Sequence, residues 1–341
     1  MMMDTQFGSM ARLRSFQRHG SALKQTISTL GNELTTGAVS DKTRHLQGDM
    51  SLLASINRSL DLSATHQRIA TETQLLLEVQ QTTINDIQAR TEDSFAELLR
   101  LGPFKDSKSL RIAAKQMQTG LEHVLGRLNT TLAGRFVMSG MAGDSATLPS
   151  ADALLDAIEA GPPPLPPDPT VAQLQEHVSQ WFATGGGFDD AALGYGGASP
   201  RPEPVKLGDG YDVMLDVTAQ DPAFRKTLAA FATGALVSRG YFADDPSAQR
   251  ALFGDVAMDL AAANQQVIGL AARTGIQEQL AAQAKTRASA EEAAMKIAQA
   301  ELLESDPYET ATQLEQAMSQ LDMIYNLTAR LSRLSLADYL R

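Results

Sequence analysis

The chain contains no cysteine, a single tryptophan and few aromatic residues altogether, 5% of its 341 positions. Without a thiol there is no disulfide framework, no thiolate metal site and no cysteine nucleophile. No apolar run approaches the roughly 18 residues that a membrane-spanning helix needs, so no membrane insertion is expected. Residues Met1 to Gly20 carry Arg12, Arg14 and Arg18 but no apolar stretch, so a conventional cleaved signal peptide is not expected either. Histidine is sparse. His19, His45, His66, His123 and His177 stand far apart, which excludes a helical pair of metal ligands. Gly185-Gly186-Gly187 is followed by Asp189-Asp190 rather than by Lys-Ser/Thr, so it is not a phosphate cradle. No nucleophile elbow occurs, and Ser139-Gly140 has no second sign of a nucleophile. Glu291-Glu292 and Asp189-Asp190 read as solvated pairs. The sequence therefore predicts no catalytic residue, no cofactor and no metal: the chain is not expected to be an enzyme. Its net charge of −11 also argues against nucleic acid as a partner.

Proline is scarce where it would do most harm. Twelve of the 14 prolines lie between Pro149 and Pro246; the others are Pro103 and Pro307. An interior proline costs a helix about 3 kcal/mol, so the two outer thirds are free to form long helices and the middle is not. Charge follows the same division. Residues 1–140 carry a net +3, residues 141–250 a net −9 and residues 251–341 a net −5.

The outer segments read as helices. Leu23, Ile27, Leu30 and Leu34 step by 4, 3 and 4, one helical face. Gly31 weakens that helix and the stretch from Gly37 to Asp41 ends it. A second pattern runs from about Gly48 to Leu101 with Leu52, Ile56, Leu60, Leu76, Val79, Ile84, Ile87 and Leu98, and Gly102-Pro103 stops it. Some 50 residues at 1.5 Å each make a rod of about 75 Å. Asp106 or Ser107 caps the next helix, which carries Met117, Leu121, Val124, Leu128 and Leu132. An alanine-rich helical pattern spans about Gly254 to Leu303. Asp306, Pro307 and Glu309 then form a helix start, and Leu321, Ile324, Leu327, Leu331 and Leu334 line the last helix. Between the helical thirds lie a proline-rich run from Gly161 to Pro169, glycine clusters, a possible strand at Tyr211–Val217 and a short helix at Phe224–Val237.

The expected fold is mainly α: a long antiparallel helical rod or coiled coil formed by both chain ends, with a small mixed α/β or irregular insert. The segments are 1–45, a terminal helix; 46–140, one part of the rod; 141–250, an acidic insert; 251–304, the other part of the rod; and 305–341, the second terminal helix. The two terminal stripes are the faces expected to meet.

Two segments carry a family resemblance. Leu128-Asn129-Thr130-Thr131-Leu132-Ala133-Gly134-Arg135-Phe136-Val137-Met138-Ser139-Gly140 places Gly-Arg-aromatic-apolar-apolar-Ser-Gly just after a helix. Asp306 to Arg341 contains Tyr308-Glu309-Thr310-Ala311-Thr312-Gln313-Leu314 and ends in Leu334-Ser335-Leu336-Ala337-Asp338-Tyr339-Leu340. These resemble the bacterial flagellin family, and within it the branch that joins hook to filament, where Asn129, Gly134, Arg135, Phe136, Ser139 and Gly140 stand at motif positions. Of the Asp-Pro or Asp-Asp pair that family members tend to carry after the first helix, only Asp41 matches. The resemblance covers about residues 10–140 and 255–341. It implies a structural subunit of the bacterial flagellum, extracellular, and exported by the flagellar type III route without signal cleavage. The implied partners are further copies of the chain in a ring, a proximal hook-associated protein, flagellin and a flagellar export chaperone. It also implies terminal helices that order on assembly. The rival readings are flagellin itself, a non-flagellar coiled-coil adaptor and, through a pocket near Trp181 or Tyr211, an enzyme.

Overall fold

The structure is a computed structural model that describes the backbone of residues 3–101 and 106–339 and the side chains within 14–100 and 106–330. The described chain is mainly helical. Its helices are α1 (Met3–Thr36), α2 (Lys42–His45), α3 (Ser51–Leu101), α4 (Ser107–Leu128), α5 (Ala151–Ala160), α6 (Val171–Phe182), α7 (Pro222–Leu236), α8 (Pro246–Leu302) and α9 (Pro307–Tyr339). Two antiparallel hairpins supply the strands, β1 (Thr131–Leu132) with β2 (Arg135–Phe136) and β3 (Val205–Gly208) with β4 (Tyr211–Val213). The stop expected at Gly102-Pro103 lies outside the described residues.

Local chemistry explains the boundaries. Gly37 follows α1 at φ +70°, and its N–H donates to the Glu33 carbonyl, a glycine C-cap. Asp106 accepts from the Ser109 N–H at the start of α4, and the Ser109 hydroxyl helps to hold its carboxyl below the usual carboxylate pKa. Proline stands in first position in α7, α8 and α9, where its missing N–H costs nothing. The helix expected from about Gly254 starts earlier, at Pro246, with Asp245 accepting from the Ser247 and Ala248 N–H groups.

The chain divides into two compact units. The first combines residues 1–64 with 289–341. In it α1 and α9 pack antiparallel. Val39 N–H donates to the Leu303 carbonyl at 2.9 Å, and Ser305 N–H donates to the Gly37 carbonyl at 3.0 Å. These bonds tie the segment after α1 to the link between α8 and α9. Leu30, Leu53, Ile56, Leu303 and Ala317 are buried there.

The second unit, residues 65–288, holds both extended hydrophobic clusters of the described chain. Its α3 buries Ala70, Thr73, Leu77, Gln80, Ile84, Ile87, Thr91, Ser94 and Leu98, in steps of 3 and 4. Its α8 buries Phe253, Val256, Leu260, Ala263, Val267, Leu270 and Thr274 with the same spacing, then Ala281, Ala284 and Ala288. That spacing averages 3.5 residues, the period of a coiled-coil seam. Helices α4 and α7 approach closely where a Cβ on Gly120 would lie 2.3 Å from the Phe231 ring. The β3–β4 hairpin covers a smaller cluster of Ala70, Leu77, Leu207, Val213, Ala281 and Ala284.

Of the two expectations for the middle third, mixed α/β or irregular, the first fits: it holds α5, α6, α7 and the β3–β4 hairpin. Its α5, α6 and α7 bury Leu154, Ile158, Leu174, Val178, Trp181, Phe224, Leu228 and Phe231 in the same cluster as α4 and α8. Its prolines and most of its glycines occupy turns and helix starts, so they punctuate these helices rather than prevent them. The expected strand at Tyr211–Val217 shortens to Tyr211–Val213.

Candidate assembly surfaces

The terminal pair lies in the first unit. On α1, Phe16, Gly20, Leu23 and Ile27 are half-buried and Leu30 is buried, a 4-3-4-3 stripe. On α9 the covered positions are Thr310, Leu314, Ala317, Leu321, Ile324 and Thr328, in steps of 4, 3, 4, 3 and 4. The two stripes meet: a Cβ on Gly20 would lie 3.9 Å from Ile324 and 4.0 Å from Leu321. The Lys24 ammonium sits 5.6 Å from the centre of the Tyr325 ring, a cation–π contact. Of the expected assembly residues, Leu23, Ile27, Leu30, Leu321 and Ile324 line this seam. Leu34 and Leu327 do not. They remain 42% and 41% exposed, because Thr328, not Leu327, continues the α9 seam. The side chains of Leu331 and Leu334 lie outside the described residues. Met318, Met323 and Tyr325 are also half-exposed or more on α9. The seam on that helix is thus narrower than its apolar surface, and part of that surface has no cover among the described residues.

The motif from Asn129 to Gly140 lies in the second unit and acts as a fastening. Asn129 closes α4, and its amide grips one residue twice. Nδ2 donates to the Leu148 carbonyl and Oδ1 accepts from the Leu148 N–H, both at 2.9 Å. Ala133 and Gly134 turn the β1–β2 hairpin at φ +50° and +80°, the two positive angles that a two-residue hairpin loop requires. The Phe136 N–H donates to the Gly143 carbonyl, and the Ser139 hydroxyl donates back to the Phe136 carbonyl at 2.9 Å. Arg135 runs close beside Gly143, where a Cβ would lie 2.6 Å from its Nε.

Gly140 sits at φ +65°, with the Ala198 carbonyl oxygen 2.3 Å from where its Cβ would be. The Ala198 N–H donates to Ser139, and the Ala219 N–H donates to Met138. Buried Gln80 of α3 offers Nε2 to the Val137 and Val217 carbonyls, each at 3.4 Å. The motif therefore joins the end of α4 to α3 and to the segments around 198 and 219. All six motif residues lie in this fastening, although Gly134 and Arg135 are exposed at its tip. Tyr195 closes it from the other side: its hydroxyl donates to the Ala198 carbonyl at 2.8 Å, and burial pushes its pKa up to about 12.

Clefts bear on the enzyme alternative. One of about 510 Å³ opens beside Trp181, lined by His177, Asp189, Asp190 and the 185–187 glycines. Its ionisable groups are occupied. The His177 Nε2 is 2.6 Å from the Ile158 carbonyl. Asp189 is paired with Arg225 and also accepts from the Gly185 N–H at 2.7 Å. Burial works to raise its pKa, but these partners leave it below the ordinary carboxylate value. Among the described residues no three His, Asp or Glu side chains are grouped to hold a metal ion. No described helix is long and apolar enough to cross a membrane.

Neither a protein-family model nor a curated protein matches the chain. Among solved structures, one described as a flagellar hook-associated protein from Vibrio parahaemolyticus is similar at 14% identity. The match covers 71% of this chain and 94% of that one, with a TM-score of 0.39, a likeness too distant to carry an argument about function.

Proposed function

We propose that the chain is a structural subunit of the bacterial flagellum and forms the junction between hook and filament. The observation that carries this reading is the pairing of the chain's two ends as α1 and α9, with apolar surface on α9 left uncovered. A helix pair of that kind gains stability when neighbours bury what the pair leaves out. The resemblance of residues 128–140 and 306–341 to the flagellin family supplies the rest. In this reading further copies of the chain complete a ring, a proximal hook-associated protein and flagellin lie on either side, and an export chaperone covers the terminal helices before assembly. The chain leaves the cell by the flagellar route and works outside it. It carries out no catalysis, in keeping with the occupied His177 and Asp189.

Cells lacking the gene provide the test, by electron microscopy of their surface and assay of flagellin in the medium. Bare hooks with flagellin shed as monomer are expected. Bare hooks with no flagellin anywhere would make this chain the filament subunit instead. Normal filaments would overturn the flagellar reading.

A further inference from the structure

Helix α8 carries a second seam. On the face roughly opposite its buried one, Met258, Ala262, Gln265, Gly269, Ala272 and Ile276 step by 4, 3, 4, 3 and 4. All six are exposed: Met258 is 66% exposed, Ile276 is 59% exposed, and no atom lies within 4 Å of a Cβ built on Gly269. A helix that owed its pattern only to its own core would place charged residues here. Instead residues 260–272 contain no charge at all. Asp259 and Arg273 stand to one side of the strip, the latter held by Asp221 at 3.0 Å.

We propose that this strip is where a second copy of the chain docks, helix against helix. Three observations name the occupant. The spacing averages 3.5 residues, which suits a helical partner. The small residues Ala262, Gly269 and Ala272 let another backbone come close, while Met258 and Ile276 supply bulk at the two ends. The third is charge. With a net −11, two copies repel each other on balance, and the outer face of α3 adds exposed Glu72, Glu78, Glu92 and Asp93. A neutral strip is where two such chains meet without like charges facing one another.

The strip is short. Its length of about 27 Å on one helix face buries much less than the ~800 Å² per partner of a standard stable interface. The pairing is therefore weak between free chains and takes hold where copies are concentrated or held side by side. It does not rest on the flagellar reading, because both the spacing and the charge belong to the chain itself.

The absence of native cysteine makes the test direct. Gln265→Cys is placed in the strip and Thr82→Cys on the acidic outer face of α3, each in the full-length chain. Both proteins are treated with a short bismaleimide at matched high concentration. Gln265→Cys is expected to give at least about fivefold more cross-linked dimer than Thr82→Cys, as a helix-paired seam would. Adding Ala262→Glu and Ala272→Glu to Gln265→Cys is expected to bring its yield down to that of Thr82→Cys, with helical circular dichroism retained. Equal yields from the two single-cysteine proteins would overturn the proposal, as would a yield that the glutamates leave unchanged. The measurement uses purified chain, so its failure leaves the deletion-strain test of the flagellar reading untouched.

Discussion

At the scale of single residues, two glycines of one motif do different work. Gly134 and Gly140 both have positive φ, but nothing lies within 4 Å of a Cβ built on Gly134, whereas one on Gly140 would meet two carbonyl oxygens. Gly134→Ala should cost about 1 kcal/mol, the backbone penalty alone. Gly140→Ala should cost roughly 2–4 kcal/mol, because the 198–199 segment has to move as well. Urea denaturation of the two variants measures the difference. Asp259 offers a separate test. Burial, and then the nearby Asp255 carboxylate, raise its pKa above 3.8, against the pull of Lys226. A carboxyl whose folded pKa is raised weakens the fold while it is ionised. The penalty is present above the folded pKa and is relieved as the pH falls through that value toward 3.8. Asp259→Asn should therefore melt at a higher temperature than the parent at pH 7, and the gain should vanish near pH 4. A gain that stayed constant with pH would assign it to something other than ionisation.

At the scale of elements, caps and spacing made much of the fold legible in the sequence. The start of α9 at Asp306-Pro307 and the end of α1 at Gly37 follow from residues that have few other uses. The Asp306 carboxylate accepts from the Tyr308 and Glu309 N–H groups at 2.8 and 3.1 Å. Asp306→Ala should remove about 1 kcal/mol, seen as faster hydrogen exchange in the first turn of α9. Faces were harder to read than bounds. Leu76 and Val79 look like seam residues of α3, but the structure buries Leu77 and Gln80 instead. Thr73, Gln80, Thr91 and Ser94 interrupt the apolar pattern, so hydropathy alone places the stripe one residue off. Leu327 misled in the same way, since Thr328 takes the seam position. Small and polar residues in a seam hide it from any reading that counts only large apolar ones. The role of Asn129 was invisible for another reason: its partner, Leu148, stands beyond the hairpin, in a segment with no periodicity.

At the scale of the whole molecule, the core is unevenly shared. Both hydrophobic clusters of the described chain lie within residues 65–288, and among the described residues the first unit holds only scattered buried ones. A fragment of residues 65–288 should therefore unfold cooperatively, at nearly the denaturant concentration that unfolds the same region of the full chain. In the full chain, helicity assigned to α1 and α9 should be lost first, since two helices with one narrow seam barely offset the entropy of ordering them. Hydrogen exchange resolved by segment reads both. Full protection of residues 10–35 and 315–330 in dilute solution would contradict the expectation.

Ser305 lies against Glu33, 272 residues away along the chain. During synthesis α1 emerges well before α9, so the earlier helix has no mate until the residues between them have been made. The second unit can condense in the meantime, because its residues are contiguous, whereas the first unit has to wait for α9. Any factor that recognises an unpaired α1 thus has the time needed to make the intervening residues in which to bind it. One that recognises α9 has only the interval between the emergence of that helix and the closing of the pair.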